Sequence, residues 1–372
     1  MTALRTPDVL VIGGGVIGCA IARELAPSRR VLVVDRGAIG GEASSAAAGV
    51  LGVASSDDEG DRLALRRASA AEFPALMVAL RDETGIDIGF APCGVLALAG
   101  DEAETAALDA KVARRRGHGF AAGPLDARAL RALEPAARDD VAGAAWFPDD
   151  GVVVATRLVA ALADSARRRG AVLVPGLPAL AVEHEGSRVA RVRVGDDWIA
   201  PGLVVLATGA WAASGIASLD AGVAVVPVRG QMLALRAGAA SPRHVLTRGL
   251  AFAVPRPDGE VWIGATLEDA GFVKAVTPDG LAALARHLET VAPSLRAAPV
   301  VRSWSGLRPC VPDGGPVLGP APGLANVLLA LGHHRAGILL APVTARTIAA
   351  YADGAAPPSA AEPFTPVALR SS

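Results

Sequence analysis

The feature that most constrains this chain is a strand, a glycine turn and a helix close to its N-terminus. Residues 9–12 form a short apolar run typical of a strand buried on both faces. Gly13, Gly15 and Gly18 follow with the spacing GxGxxG. This spacing permits a tight turn, a close approach of backbone to a pyrophosphate, and close packing of a helix over residues 16–26 on the strand. The N-terminus of that helix would face the phosphates.

A second apolar run, residues 31–34, ends in Asp35, which lies 22 residues after Gly13. A carboxylate at this place suits the ribose hydroxyls of a nucleotide and would repel a 2′-phosphate, which argues against NADP. The alternative is a glycine-rich turn that only packs two elements together, but such a turn does not explain Asp35. The complete unit therefore predicts nucleotide binding.

Two more glycine-rich stretches lie near the end of the chain. They are WSGLRPCVPDGGPVLG (Trp304 to Gly319) and GHHRAGILLAP (Gly332 to Pro342). A simple dinucleotide domain completes its cofactor site early in the chain, whereas this chain returns to its site at the far end. The pattern predicts a long cofactor such as FAD, held across a discontinuous domain.

Composition limits the classes of protein that this chain can belong to. Its 372 residues exceed what a single core usually accommodates, so two domains are expected. Lys and Arg number 36 against 37 Asp and Glu, so no basic field points to nucleic acid. The arginine run over residues 114–116 is expected to lie on a solvated helix face.

The cysteines and the apolar segments bear on the location of the protein. Cys19, Cys93 and Cys310 are widely spaced, with neither a metal-binding spacing nor a disulfide framework. We therefore expect no metal site and a reducing, cytoplasmic location. Asp8 interrupts any signal-peptide pattern, and the longest apolar region, residues 203–219, contains Thr, Ser and Gly. The sequence thus predicts a soluble protein with no integral membrane segment.

The middle of the chain adds small, flat segments to the same site. Residues 40–52 (GGEASSAAAGVLG) are nearly uncharged, which suits backbone lying against a broad ring system, although an alanine-rich buried segment is the alternative. A helix is predicted over residues 156–169, and strands over residues 171–174 and 203–206. The small-residue turn ATGAW after the last strand would place backbone near a cofactor at the carboxyl edge of the sheet.

These elements predict an α/β fold with a discontinuous Rossmann-type FAD-binding domain and an interleaved second domain built on a mostly antiparallel sheet with helices. Runs such as VAVVPVRGQMLAL and VWIGAT, and a helix over residues 281–291, indicate the second domain. The predicted FAD-binding domain comprises residues 1–61, 146–222 and 301–372, and the predicted substrate-binding domain comprises residues 62–145 and 223–300.

The order of the motifs resembles the FAD-dependent D-amino acid oxidase family, and within it the glycine oxidases of thiamine biosynthesis. The resemblance covers nearly the whole chain and rests on VIGGGVIG with Asp35, SSAAAGVLG, VVLATGAW, VVPVRGQ, AVPR…VWIGAT, SGLRP…DGGPVLG and GHHRAGILLAP. An NAD-dependent dehydrogenase would lack the late segments. The implied cofactor is FAD, held non-covalently. Relatives of the sarcosine oxidase type attach flavin to a cysteine, and the place of Cys310 does not match that attachment point well.

The resemblance implies an active site between the flavin ring and the sheet of the second domain. Arg308 matches the arginine that pairs with the substrate carboxylate, and Arg335 matches a second arginine of the site. An ordinary structural ion pair is the alternative for each. A guanidinium presents a planar fork that binds a carboxylate through two parallel hydrogen bonds.

Three residues depart from the family pattern. Phe252 stands where similar glycine oxidases can place a tyrosine that touches the substrate carboxylate. Val50 replaces a longer apolar residue beside the flavin, and Asp35 replaces the commoner glutamate without a change of charge. Phe252 and Val50 are assigned to the substrate site, and the missing hydroxyl implies weak glycine binding or a larger, more apolar amine.

The resemblance also implies the flavin contacts residue by residue. They are Gly13, Gly15, Val16, Ile17, Gly18, Asp35, Arg36, Ala43, Ser44, Ala48, Gly49, Val50, Ala179, His333, His334, Arg335, Ala336, Gly337, Ile338 and Leu339. Ala179 is placed at the adenine end of the cofactor. Gly337 is expected to open the last helix, whose N-terminus would stabilise the negative charge of reduced flavin.

No catalytic acid or base is assigned. His333 and His334 are expected to supply backbone amides and shape, because an amino acid bound with a neutral amine can pass a hydride from Cα to the flavin without a protein base.

The expected reaction converts glycine or a similar small amine to the 2-oxo acid, ammonia and H2O2, with O2 as electron acceptor. The alternatives are a D-amino acid or sarcosine-type dehydrogenase that passes electrons to a quinone or carrier, and a non-catalytic flavin-binding accessory subunit. The sequence leaves the oligomeric state open, including a homo-oligomer.

Overall fold

Two large β-sheets organise the chain. The structure is a computed structural model that describes residues 5–212, 216–219, 221–312 and 314–366. Each sheet forms where short apolar runs are bounded by glycine or by polar turn residues. Within these residues, no helix is long and apolar enough to cross a membrane, and no group of three or more His, Cys, Asp and Glu side chains could hold a metal ion.

The first sheet has six strands in the spatial order β18–β19–β12–β1–β2–β8. They are β1 (Val9–Ile12), β2 (Val31–Val34), β8 (Val172–Val174), β12 (Leu203–Leu206), β18 (Val317–Pro320) and β19 (Val327–Leu331). All neighbours pair in parallel except β18 and β19. Every residue of β1, β2 and β19 is buried, as expected for parallel strands that are covered on both faces.

Different elements cover the two faces of this sheet. The helices α1 (Val16–Leu25), α7 (Ala155–Arg168) and α9 (Gly337–Ala352) share a core with Val9 and Val11 on one face. A three-stranded sheet of β9 (Ala179–Glu185), β10 (Arg188–Val194) and β11 (Asp197–Ile199) shares a core with Leu10 and Ile12 on the other. The alternation of side chains along β1 therefore divides the core in two.

The second sheet has eight strands in the order β17–β13–β16–β15–β14–β4–β6–β5. They are β4 (Val95–Ala99), β5 (Gly123–Leu125), β6 (Gly143–Phe147), β13 (Val226–Arg236), β14 (Val245–Arg248), β15 (Ala251–Pro255), β16 (Glu260–Gly264) and β17 (Val300–Cys310). All pairs are antiparallel except β14 with β4. Helix α8 (Pro278–Val291) packs on one face through Leu284, Leu288 and Val291.

The remaining α-helices and short strands link strands along the chain, either between the two sheets or within the second sheet. They are α2 (Ala43–Ala46), β3 (Val50–Leu51), α3 (Gly60–Ala70), α4 (Phe73–Thr84), α5 (Glu102–Gly117), α6 (Ala127–Leu133) and β7 (Gly151–Val152). Strand β3 continues from the segment predicted to contact the flavin, and it pairs with β7 in a two-stranded sheet. The predicted fold class, an α/β nucleotide-binding unit with a second, mostly antiparallel sheet, is confirmed.

Two local predictions need correction. The predicted boundary at residue 300 falls at the start of β17, whose ladder with β13 places residues 300–310 in the second sheet. The other domain boundaries stay a prediction. Of the arginine run, Arg114 and Arg116 are exposed as predicted. The Arg115 side chain is instead fully buried, because its guanidinium binds the backbone of residues 54–58.

The glycine turn offers a test of the close approach between β1 and β12. Gly13 and Gly170 have similar positive φ angles, +109° and +102°. A Cβ at Gly13 would lie 2.7 Å from the carbonyl carbon of Ala207, whereas a Cβ at Gly170 would meet nothing within 4 Å. We expect Gly170→Ala to cost about 1–3 kcal/mol of unfolding free energy from backbone strain alone, and Gly13→Ala to cost clearly more. Urea unfolding of both variants measures this, and equal losses would contradict the close approach.

Candidate active site and flavin-binding region

The glycine turn presents backbone donors at the carboxyl end of β1. The N–H of Gly13 donates to the carbonyl of Val34 (2.8 Å), and α1 begins three residues later. The Val16 N–H at that helix N-terminus donates to Ser44 Oγ (3.0 Å). The backbone of Thr208 lies beside Gly13, and its buried hydroxyl finds no hydrogen-bond partner among the described residues. A buried orphan hydroxyl next to a glycine cradle fits a cofactor with phosphate groups.

Asp35 holds the turn and the end of β2 together. Its carboxylate accepts from the N–H of Gly14 (2.7 Å) and of Gly37 (2.8 Å). The Leu177 N–H donates to the carbonyl of Asp35 (2.8 Å), which brings the start of β9, and thus Ala179, to this end of the site. The Arg36 guanidinium lies 3.8 Å from the ring centroid of Trp211. These groups surround the place where the sequence predicts the ribose and adenine.

The segment predicted to lie along the flavin is fixed by backbone bonds. Ala43 and Ser44 begin α2, and Ala48, Gly49 and Val50 lead into β3. Gly49 has a φ of +72°, and its carbonyl accepts from the N–H of Val153 (2.8 Å). Only a glycine fits this position without strain, because a side chain would also clash with the Val153 carbonyl.

The last segment runs from β19 into α9. His334 has a positive φ of +48°, and its N–H donates to the carbonyl of Pro309 (2.8 Å). Helix α9 begins at Gly337, as predicted. The side chains of Ile338 and Leu339 are buried in the core under the first sheet, so only their backbone is near the helix terminus. Ala336 precedes the helix and is also buried.

Burial keeps both histidines of this segment neutral. His333 is buried and its Nε2 lies 3.0 Å from the Thr344 hydroxyl, and burial lowers its pKa to about 3. Burial, together with Arg335 and Arg308, lowers the pKa of His334 to about 4. Imidazoles with such low pKa values are weak bases at neutral pH.

Arg308 lies on β17 with its guanidinium held by backbone. Its Nη1 donates to the carbonyls of Thr266 (3.1 Å) and Arg229 (3.4 Å). Burial, assisted by the charge of Arg335, lowers its pKa to about 10, and Glu268 opposes this shift. Glu268 itself is occupied, because Arg229 pairs with it at 2.5 Å. Among the described residues, no carboxylate lies within ion-pair distance of Arg308, so its remaining donors are available for an anion.

The other predicted substrate residues lie in two groups. Val50 and Phe252 pack against one apolar cluster of the second sheet, together with Ala48 and Trp304. Arg335 is exposed, and its charge affects the pKa values of both Arg308 and His334, which places these three residues within electrostatic range. The structure therefore gathers the predicted apolar residues at the flavin segment and the predicted basic residues at β17 and the start of α9.

Sequence reasoning missed Arg256, which joins the second sheet to the flavin segment. It is 6% exposed and donates to the carbonyls of Ala48 (3.0 Å) and Val153 (3.2 Å). Its guanidinium lies 4.3 Å from the ring centroid of Trp262, and burial lowers its pKa to about 10. The motif AVPR ends in this residue, but nothing in the sequence shows that it reaches a segment 208 residues away.

Together these groups fit FAD. The glycine turn, Thr208 and the α1 N-terminus would hold the phosphates, and Asp35 the ribose. The segments around Gly49 and Gly337 would hold the ring. Comparison with known proteins agrees, because residues 8–351 match the family FAD dependent oxidoreductase (DAO). The chain belongs to this family, and it is an FAD-dependent oxidoreductase that acts on amino acid or amine donors.

Individual known proteins are similar to this chain over most of its length. The chain is 37% identical to the glycine oxidase of Geobacillus kaustophilus, with 92% of each chain covered. Its structure matches the crystal structure of glycine oxidase from that organism with a TM-score of 0.92, over 98% of this chain and 99% of the other. It also matches iminodiacetate oxidase from Chelativorans sp. BNC1 at 26% identity, with a TM-score of 0.88 over 96% and 98% of the two chains.

A further relative is longer than this chain. The chain is 35% identical to the bifunctional protein ThiO/ThiG of Trichormus variabilis, over 93% of this chain but 52% of that protein. The chain therefore spans about half the length of this bifunctional relative.

Arg256 can be tested against a neighbouring arginine. Arg256→Met removes the hydrogen bonds to the carbonyls of Ala48 and Val153 but keeps a long apolar side chain. We expect FAD binding to weaken about ten-fold or more, since leaving buried carbonyls unsatisfied costs about 1–3 kcal/mol. Arg302→Met is the control, because Arg302 lies 5.5 Å from the same Trp262 ring but pairs with Glu260 instead. Flavin titration of the apoproteins measures the affinities, and equal weakening in both variants would reject the role of Arg256.

Proposed function

We propose that this enzyme oxidises glycine or a similar small amino acid or amine, with O2 as the electron acceptor. For glycine, one molecule of substrate, one of O2 and one of water yield glyoxylate, ammonia and H2O2. The carbon–nitrogen single bond is oxidised to an imine, which water hydrolyses, and O2 takes the two electrons and two protons. Glycine oxidase relatives that cover 92% and 98% of the chain support this choice.

The observation that carries the proposal is the state of Arg308. A half-buried guanidinium with no carboxylate partner among the described residues is a costly arrangement unless an anion completes it. Two of its contacts are backbone carbonyls, which orient the planar group without neutralising it. A substrate carboxylate would supply the missing charge through a bidentate pair. The site is thus suited to an amino acid rather than to a simple amine.

The reaction needs positioning more than proton transfer from side chains. FAD, when bound, supplies the acceptor for the hydride that leaves the substrate Cα. Arg308 would fix the carboxylate and so orient the Cα. His333 and His334, with pKa values of about 3 and 4, are poor candidates for a general base at neutral pH. The lack of a suitable base at these two histidines supports a mechanism in which the substrate already binds with a neutral amine.

The apolar side of the site limits the substituent on the substrate. Phe252 and Val50 pack in the cluster beside the flavin segment and offer no hydroxyl. Losing a hydrogen bond to a charged partner costs about 1.5–3 kcal/mol, so glycine would bind less tightly than in a site with tyrosine at this place. A small apolar substituent on the amine or on Cα would gain contact instead.

The pathway is proposed from relatives. Several bifunctional ThiO/ThiG proteins match this chain over about half of their length. We infer that the reaction serves thiamine biosynthesis, where the oxidised amine would enter the thiazole precursor. The cytoplasm is the expected location.

Replacing Arg308 tests the carboxylate pair. We expect Arg308→Ala to lower kcat/KM for an amino acid about thirty-fold to several-thousand-fold, because removing one partner of a buried charge pair costs about 2–5 kcal/mol. Arg308→Lys should recover only part of the loss, since an ammonium lacks the planar fork. FAD content should persist.

The control is a substrate without the carboxylate. We expect the decarboxylated amine to react at nearly the same kcat/KM in wild type and in Arg308→Ala. Peroxide yield per turnover, measured in the same assay under air, distinguishes an oxidase from a dehydrogenase that needs another acceptor. If the amino acid and the amine lost activity equally, Arg308 would support the fold or the flavin and the carboxylate role would be wrong.

A further inference from the structure

Residues 52–59, here called the clamped loop, leave the flavin segment and lead into α3. The loop begins two residues after Val50. Ala54 within it is fully buried in the same apolar cluster that contacts Ala48, Val50 and Phe252. The loop is therefore anchored in the apolar cluster against which two predicted substrate residues, Val50 and Phe252, also pack.

One buried acid accepts from the loop backbone. Asp150, between β6 and β7, is 2% exposed. Its Oδ1 accepts from the N–H of Val53 (2.9 Å) and of Ala54 (3.1 Å), and its Oδ2 accepts from the N–H of Ser55 (2.8 Å). Three consecutive N–H groups thus converge on one carboxylate.

One buried base donates to the carbonyls of the same loop. Arg115, on α5, is 0% exposed. Its Nε donates to the Ala54 carbonyl (3.0 Å), and its Nη2 donates to the carbonyls of Ser56 (3.0 Å) and Asp58 (2.7 Å). Its Nη1 pairs with Glu59 at 2.9 Å. The loop wraps around the guanidinium, so that every second carbonyl from residue 54 to residue 58 points to it.

Two more cations donate hydrogen bonds to the loop. Arg66 donates to the Gly52 carbonyl (3.0 Å), and Lys111 donates to the Ser55 carbonyl (2.5 Å) and to Asp57 (2.8 Å). Against the opposing effect of burial, the hydrogen bond and charge of Lys111, with smaller effects of Arg335 and Arg115, lower the pKa of Asp57.

Two fully buried charges are an inefficient way to stabilise a loop. Buried ions carry a large desolvation penalty, and apolar side chains of similar volume often stabilise a fold as well or better. What the ions provide is geometry: eight residues with most of their polar backbone groups bound in one conformation. A wall of the substrate site that must keep its place within a fraction of an ångström has a use for this.

We propose that Arg115 and Asp150 are positioning residues of the substrate site, which hold the clamped loop as a fixed wall beside the flavin segment. This inference rests on one part of the proposed function, namely that the substrate site binds a carboxylate. Neither residue touches the substrate. They act through the backbone of residues 53–58.

The test compares Arg115→Met with Arg114→Met in the FAD-loaded protein. Arg114 is the matched control, because it neighbours Arg115 on α5 and also pairs with Glu59, at 3.3 Å, but donates to none of the carbonyls of residues 52–59, all of which the structure describes. The first readout is the Kd of glycolate, a small carboxylate without an amine, from the change that it causes in the flavin absorbance without oxygen and before any bleaching. The second readout is the exchange rate of the backbone amides of residues 53–55.

We expect Arg115→Met to raise the Kd of glycolate about ten-fold and to speed amide exchange in the loop at least about ten-fold, at a temperature well below unfolding. Arg114→Met should change neither quantity. Arg115→Lys should fall between, since one ammonium cannot reach all three carbonyls. Asp150→Asn should likewise raise the Kd of glycolate and speed amide exchange, because the asparagine side chain keeps only one oxygen to accept from the N–H groups of the loop.

The outcomes separate this inference from the proposed function. If glycolate binds the wild type but no amine reduces its flavin, the proposed function fails and the loop test still stands. If Arg115→Met and Arg114→Met bind glycolate equally well, the positioning role is wrong whatever the activity. If Arg115→Met, Arg115→Lys and Asp150→Asn all fail to fold, the two ions are elements of stability, and the inference is overturned.

Discussion

The site depends on one unusual electrostatic arrangement, a half-buried cation whose protein contacts are carbonyls. Arg308 takes the carbonyls of Thr266 and Arg229 and leaves its remaining donors free of any carboxylate among the described residues. The nearby acid Glu268 does not relieve this, because Arg229, Gln231 and Thr266 already use it. An anionic ligand would complete this arrangement, and under the proposed function the substrate carboxylate is that anion and sets where the Cα lies.

The site also depends on the segment that lies between the two large sheets. Residues 46–59 belong to neither sheet, and side chains from the second sheet and its flanking helix hold their backbone. Trp304 donates to the Ala46 carbonyl (3.2 Å), Arg256 to that of Ala48, and Arg115 to those of the clamped loop. The flavin segment is thus positioned by the same sheet that carries Arg308. Under the proposed function, the same sheet would hold both the cofactor and the partner of the substrate carboxylate in one frame, as hydride transfer requires.

Local sequence patterns predict the elements that obey local rules. The strands Val9–Ile12, Val31–Val34 and Leu203–Leu206 lie where the apolar runs place them, and α9 opens at Gly337, because short apolar runs and glycine turns are encoded within a few residues. The identification of the family and of FAD came from the order of the motifs, and the comparisons confirm both. The site residues themselves stay a prediction.

The features that sequence reasoning missed depend on contacts between distant residues. Arg115 was placed in solvent because its run of three arginines looks like a charged face, yet a loop about 60 residues earlier in the chain encloses its guanidinium. Arg256 and Asp150 bind backbone 208 and 97 residues away. The misplaced domain boundary at residue 300 has a similar origin. The SGLRP motif resembles a cofactor-binding loop, but in the structure it is part of the eleven-residue strand β17. Hydrophobic periodicity carries no information on such pairs.

The most direct test of the account is anaerobic reduction of the bound flavin. The FAD-loaded protein is mixed without oxygen with glycine, sarcosine and a panel of D-amino acids, and the visible absorbance of the flavin is followed. The account predicts that at least one small amino acid bleaches the flavin fully. A protein whose flavin is bleached by dithionite but by no amino acid or amine would contradict it, and would favour a flavin-binding protein without this activity.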